Sequence, residues 1–343
     1  MEKKAKKFDL RSLLRSDTNL TRLLIIFAIS FVTMAILKPG IFLTKDYIVS
    51  MVYIFPEYGI LAFAMMLAMI SGGIDLSVVA TANLSGILSC LFLINFMPQN
   101  PSAFVSALFL IAVVVLAMCI GALCGALNGL LIGKLGIPPM LATLGSSDLI
   151  MGLSLAITKG SSLTGIPDVL SKVTNTVIFG FIPVTLLVFI ACAIVVSFAL
   201  SKTTFGFRMQ MMGSNPTASR FSGVKNSSIL MKTYMLGGML ASVSGLLMCG
   251  RANSARANFG TSYVMQTIII CVLGGTNPNG GFGRTSGIAI AVLILQVLSS
   301  GFNMFPGISN FYRDLIWGVV LILVMAYNHI SNKRKEKKMS KAL

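Results

Sequence analysis

Histidine is almost absent from this 343-residue chain, which has only one, His329. It stands at the end of the last apolar run, beside a basic tail. That position excludes a serine–histidine–aspartate arrangement deep in the fold, and one histidine cannot make a histidine-rich metal site. Acidic residues are scarce as well, ten against 27 lysines and arginines. So few carboxylates and histidines make a proton relay across a membrane hard to build, which weakens the case for an ion-coupled secondary transporter. The six cysteines are Cys90, Cys119, Cys124, Cys192, Cys249 and Cys271. All lie in apolar runs and none forms Cys-x-x-Cys, so neither a disulfide framework nor a zinc site is indicated. They read as small buried hydrophobes. No Gly-x-x-x-x-Gly-Lys-Ser/Thr run occurs, so the chain has no phosphate-binding loop for ATP. Glycine runs near 275–283 lack the preceding strand and the following acidic residue of a dinucleotide site. No catalytic, metal or cofactor site is expected on the chain itself.

Long apolar runs take the place of these missing groups. Hydrophobic residues make up 55% of the sequence and charged residues 11%, against roughly 25% charged in a typical soluble domain. Runs of about 20 residues, enough to cross the hydrocarbon core, recur about ten times. They fall at approximately 22–37, 47–70, 77–97, 103–133, 140–158, 176–200, 231–250, 262–278, 284–303 and 311–329. The expected fold is all-α, a polytopic membrane helical bundle with no room for a sizeable soluble domain. It divides into a basic N-terminal segment, 1–21, a membrane domain, 22–329, and a basic tail, 330–343. No small-x-small cleavage site follows the first run, which reads as a retained anchor.

The net charge of +17 is concentrated at the two ends and in the stretch 201–232. Nucleic-acid binding would want aromatic residues interleaved with the charges, and the tails have almost none. Short basic segments flanking spans are the positive-inside signal. Both ends and the 201–232 loop therefore belong in the cytoplasm, which requires an even number of spans. Arg251 and Arg256 disagree, because the count places them outside. Either they violate the rule or their segment is not a simple exit.

Within 201–232 lies a complete helix in miniature. Asn215 can cap the first amides, Pro216 suits the first helical position, and Gly223 can take the left-handed conformation that ends a helix. Ala218, Arg220 and Phe221 lie between these signals. Two turns are too short to be stable alone in water. Such a helix persists when docked, and on a membrane protein it can pass force or information to a soluble partner.

Small residues recur every fourth position at Ala117, Gly121, Gly125, Gly129 and Gly133, and again at Gly237, Ala241, Gly245 and Cys249. This spacing lets a neighbouring helix approach closely, and packing within the chain is favoured over a subunit interface. Ionisable residues inside spans are functional candidates. Asp75 follows a glycine break and either caps the next helix or lines a path. Asp148 lies in the fifth run, and Arg313 and Asp314 open the last. Ser77, Asn83, Asn128, Gln266, Asn277 and Asn303 are uncharged polar groups that a neutral polyol could use, although hydrogen bonding between helices accounts for any one of them.

Several of these segments match one family in order. Gly73-Ile74-Asp75-Leu76-Ser77 resembles a signature of permease subunits of ribose-type monosaccharide ABC importers. So does Asn128-Gly129-Leu130-Leu131-Ile132, followed by the run from Gly136 to Gly145. Thr204-Phe205-Gly206 and the segment Gly213 to Val224 are similar to that family's coupling loop. Cys271 to Thr276 with Gly280-Gly281-Phe282-Gly283 is similar to its late glycine motif. The resemblance implies about ten helices, a dimer with a second permease copy or paralogue, cytoplasmic ABC ATPase subunits that bind ATP and magnesium, and an extracytoplasmic substrate-binding protein. It also implies that the 215–223 helix docks into a cleft on the ATPase. The chain departs from the family where Val78-Val79 replaces a usual glycine, where Phe207 replaces a common arginine, and where no acidic residue follows Tyr263. Ribose, another pentose or hexose, autoinducer-2 and nucleosides all stay open as solutes.

Overall fold

The computed structural model describes residues 18–305 and a few positions between 315 and 326. Most of the 1–21 segment, the 330–343 tail and most of the 311–329 run, with Arg313, Asp314 and His329, lie outside the described residues.

The described chain is mostly helical. In order the helices are α1 (Thr18–Leu37), α2 (Pro39–Phe42), α3 (Lys45–Ile70), α4 (Val78–Phe96), α5 (Ala103–Gly133), α6 (Pro139–Thr158) and α7 (Asp168–Thr174). A short hairpin of β1 (Val177–Ile178) and β2 (Ile182–Pro183) follows. Then come α8 (Val184–Lys202), α9 (Thr204–Ser214), α10 (Pro216–Phe221), α11 (Asn226–Ala252), α12 (Tyr263–Leu273) and α13 (Thr285–Asn303). Among the described residues, eight helices are long and apolar enough to cross a membrane, and α12 is a shorter apolar helix.

The bundle is assembled around α3 and α11. From Phe55 to Ile70 every residue of α3 is buried. Helix α11 runs antiparallel to it, with the Ser244 hydroxyl donating to the Glu57 carbonyl at 2.7 Å and Gly237 opposite Ala64. Antiparallel α5 comes closer still. A Cβ added at Gly121 would lie 2.2 Å from the Gly238 oxygen, and one at Gly125 would lie 2.1 Å from the Tyr234 oxygen. Gly129 and Gly133 continue the seam against Met231 and Ser227. The stripe therefore serves packing within the chain, where the missing side chains let two backbones touch. On α11, Gly245 does the same against Ala82 of α4, which runs parallel to it, and Cys249 lies against Gly86.

The first helix starts at Thr18, four residues before the expected 22, and three other expected spans also have different ends. The sixth was expected at 176–200, but the helix starts at Val184. Val177, Ile178, Phe181 and Ile182 give the apolar signal, yet Gly180 at φ 75° and Pro183 turn them into a hairpin. The seventh was expected at 231–250 and begins five residues earlier, at Asn226, because the polar first turns are helical despite low hydropathy. The eighth was expected at 262–278, but α12 has 11 residues. At 1.5 Å per residue it is roughly 16 Å long, about half the hydrocarbon thickness. The stretch before it is irregular and partly buried: the Asn83 amide donates to the carbonyls of Ala257 at 2.8 Å and Phe259 at 3.0 Å. Non-helical backbone at membrane depth is tolerated when protein supplies its hydrogen bonds. The segment carrying Arg251 and Arg256 is thus not a simple exit.

Arg251 itself is neutralised. It stands in the last turn of α11 and grips the fully buried Glu57 of α3, its Nε donating to one carboxylate oxygen and its Nη2 to the other at 3.1 Å. An unpaired charge here would be expensive, so each partner needs the other.

Two predictions follow from this packing. Gly238→Ala puts a Cβ 1.9 Å from the Gly121 oxygen, whereas at Gly237 the nearest atom is at 3.7 Å. Gly238→Ala should cost about 1–3 kcal/mol and Gly237→Ala close to nothing. Thermal melting of the purified protein in detergent should separate the two, and equal melting points would contradict the seam. Arg251→Met should destabilise by about 3–5 kcal/mol by stranding Glu57, while the Glu57→Leu/Arg251→Met double variant should recover most of the loss. A double-mutant cycle on the same melts checks this, and additive losses would refute the pairing.

Candidate functional site

The 201–232 segment is not an open loop. Thr203 accepts from the Gly206 amide at 3.2 Å and starts α9, a helix that sequence reading missed. Met209, Met212 and Gly213 bury one face of α9 against the bundle. Gly213 sits tight on two other elements: a Cβ there would lie 1.9 Å from the Ile70 oxygen and 2.6 Å from the Gly281 nitrogen. The Gly281 amide in turn donates to the Ile70 carbonyl at 2.9 Å. The end of α3, the glycine loop after α12 and the inner face of α9 are therefore joined backbone to backbone.

Helix α10 rises from this base. Asn215 Oδ1 accepts from the Ala218 amide at 2.9 Å, and Pro216 occupies the first helical position. At the other end Gly223 has φ 80°. Its amide donates to the Arg220 carbonyl at 3.1 Å, and the Val224 amide reaches the Ser219 carbonyl at 3.2 Å. That doubled bond is the glycine-terminated helix end known as the Schellman motif. Ser219, the buried residue of α10, donates to Asn226 Oδ1 at 3.1 Å, and the Asn226 amide donates to the Pro216 carbonyl at 2.9 Å. Asn226 therefore bolts α10 to the first residue of α11. Nothing in the sequence marked it, because its partners are set by the fold. Ala218, Arg220 and Phe221 face outward, and the Phe221 side chain is 89% exposed.

The polar residues inside the bundle divide into groups. Asp75 Oδ1 accepts from the Ser77 amide at 3.0 Å and from the Ser77 hydroxyl at 2.6 Å. Asn128 of α5 donates to the Ser77 oxygen at 2.7 Å. Asp75, Ser77 and Asn128 thus form one cluster, 3%, 1% and 1% exposed. Asp75 caps the turn that leads into α4, with Ser77 at the helix cap position. Asn83, farther along α4, is taken up by the carbonyls at 257 and 259. Asn277 is exposed on the glycine loop, where it bonds Gly280 and Asn279. Of the residues expected along a path, Asp75, Ser77, Asn83, Asn128 and Asn277 are therefore not contiguous, and the buried ones among them join segments of the bundle together. Glu57 was not singled out from the sequence, although a glutamate inside an apolar run is itself a signal.

Among known proteins, the family model described as "Branched-chain amino acid transport system / permease component" matches residues 47–325. The ribose import permease protein RbsC of Bacillus subtilis (strain 168) is 33% identical over 277 residues, covering 78% of this chain and 80% of that protein. The autoinducer 2 import system permease protein LsrD of Photorhabdus luminescens is 29% identical, covering 80% of each chain. Its counterpart in Yersinia enterocolitica is 31% identical over 282 residues, with 80% and 81% covered. No solved structure matches the chain. With a match running from the start of α3 past the end of α13, on a bundle of membrane-length helices, the chain belongs to this family of ABC-transporter permease components and is a transport subunit, not an enzyme.

Proposed function

We propose that this chain is the membrane-spanning subunit of an ATP-driven, binding-protein-dependent importer that moves a monosaccharide of the ribose type across the bacterial cytoplasmic membrane. The observation that carries the coupling part of this reading is α10. It is a rigid, doubly capped helix that presents Arg220 and an 89% exposed Phe221. Aromatic and arginine side chains are the usual anchors of protein interfaces. The helix is tied through Asn226 to α11, and α9 beside it meets α3 and the glycine loop, so a push on it reaches the core of the bundle. ATP and magnesium belong to cytoplasmic ATPase subunits that receive this helix. An extracytoplasmic substrate-binding protein delivers the solute, and a second permease copy or paralogue completes the membrane unit.

The solute class rests on the relatives, whose names cite ribose and autoinducer 2. Autoinducer 2 is the second reading, carried by the same comparisons. Orientation rests on the basic clusters. In support, Leu20 and Leu23 near the start of α1 line a groove with Gly274, Gly275 and Arg284, and Arg284 lines a neighbouring one with Ser201 and Thr203. The first helix therefore starts at the end of the bundle that carries α10, and the basic clusters are our ground for assigning both termini to the cytoplasm.

The test is reconstitution with the partner subunits in vesicles. Sugar-loaded binding protein should stimulate ATP hydrolysis and drive uptake. The Arg220→Ala/Phe221→Ala variant should insert normally and lose about 2 kcal/mol or more of ATPase affinity, roughly 30-fold. Normal uptake and coupled hydrolysis in that variant would reject α10 as the coupling element. For orientation, a cysteine at Lys225 should resist an impermeant thiol reagent in intact cells. Labelling from outside would reverse the assignment.

A further inference from the structure

Asp148 occupies a position that packing inside this chain does not explain. It is the tenth of the twenty residues of α6 (Pro139–Thr158), and therefore lies at the middle of a membrane-length helix. One face of α6 is buried in the bundle through Ala142, Thr143, Ser146, Ile150, Ser154 and Thr158. Asp148 is on the other face and is exposed. Leu141, Gly145 and Gly152 share that outward face, at three- and four-residue spacing. A Cβ added at Gly145 or Gly152 would meet nothing within 4 Å, whereas Gly121, Gly125 and Gly238 are filled by neighbouring backbone. The two glycines therefore flank the carboxylate with open space.

Hydrocarbon is a poor neighbour for this face, because a carboxylate at the bilayer centre is costly and residues of this kind face protein interior or water. A dry contact with a second copy of the chain does not solve the problem either. Among the described residues, no basic side chain pairs with Asp148, and Arg251, near the end of α11, is held by Glu57. The other basic residues of the membrane-length helices, Arg22, Lys45, Lys202 and Lys232, stand within seven residues of a helix end. Among the described residues, a second copy offers no counter-charge at mid-membrane depth. Water and hydroxyl groups remain, and a carboxylate accepts hydrogen bonds from two hydroxyls at once.

We propose that the outward face of α6, centred on Asp148, lines the aqueous path between this chain and its partner permease, and that the Asp148 carboxylate accepts hydrogen bonds from a neutral polyhydroxylated solute. The bare surfaces of Gly145 and Gly152 give a sugar ring room to lie against the helix beside the carboxylate. This inference rests on the permease reading above and moves the path away from Asp75, Ser77 and Asn128, which are closed.

The experiment uses the assembled importer in vesicles, in a background without native cysteines. Single cysteines are placed at Gly145, Asp148 and Gly152, and at two outward positions on other spans, Ile111 of α5 and Ile194 of α8, each 63% exposed. A thiol reacts as its thiolate, which needs water, so a charged methanethiosulfonate should modify the three α6 positions at least about tenfold faster than the controls. The solute should slow modification at Asp148→Cys. Rates at the α6 positions equal to those at Ile111 and Ile194 would place the face in lipid and overturn the path. In parallel, Asp148→Leu should reduce binding-protein-dependent uptake by about tenfold or more per assembled complex. Asp148→Asn, which keeps one acceptor, should lose less. Wild-type uptake by the leucine variant would overturn the solute contact. The labelling pattern does not depend on which solute is carried. If the α6 positions label but the wild-type complex imports no monosaccharide, the sugar reading falls and the path stands.

Discussion

A bilayer offers no hydrogen bonds, so each polar group the chain brings into it must be answered from within the protein or by water in a path. The arrangement of the bundle follows from how that demand is met. Helices α5 and α11 answer it with their own backbones, which touch at Gly121, Gly125 and Gly238 and bring no side chain that needs solvation. With α5 and α3 packed on it, α11 becomes the post around which the other helices are set. The break before α12 is possible because Asn83 supplies the hydrogen bonds that water would otherwise give to the carbonyls at 257 and 259.

Closed hydrogen bonds are also what let α10 hold its shape. A two-turn helix does not hold its shape alone. Here both ends are closed by specific hydrogen bonds, and its inner residue, Ser219, is locked to Asn226. Beneath it, Gly213 lets α9 sit on the carbonyl of Ile70, and the Gly281 amide bonds that same carbonyl. These contacts have no flexible side chain in them. Through them α9, which leads into α10, meets the end of α3, and Asn226 joins α10 to the start of α11.

What the sequence revealed depended on whether the cause was local. The caps of α10 are set within nine residues, and Asn215, Pro216 and Gly223 take the roles that their chemistry suggests. The membrane-length helices were legible because apolar length is a property of the segment itself. The errors occur where the fold decides. The apolar hairpin at 177–183 carries the hydropathy of a span but breaks at Gly180 and Pro183. Helix α9 was read as loop, because its burial comes from α3 and the glycine loop, which are distant in sequence. Asn226 and the partner of Arg251 were invisible for the same reason, since Glu57 lies 194 residues away from Arg251. The resemblance drew attention to the segment that holds α10, but it could not say which polar residues lie together.

Three carboxylates among the membrane-length helices and their connections show how place decides role. Glu57 is fully buried and held by Arg251, which fastens α3 to the end of α11. Asp75 is buried without a cation and is held by Ser77, which in turn is held by Asn128, so it fixes the turn into α4 against α5. Both are answered inside the protein and both serve cohesion. Asp148, at the centre of α6, lies on the face turned away from the bundle, beside glycines that nothing fills. All three are acidic residues near or within apolar runs, although only Asp75 and Asp148 were singled out from the sequence. Burial separates them: a carboxylate that the fold satisfies is a fastening, and one that the fold leaves open at mid-membrane depth needs water or a solute to satisfy it. In a bundle whose other polar groups are largely paired, that difference sets α6 apart from the other membrane-length helices.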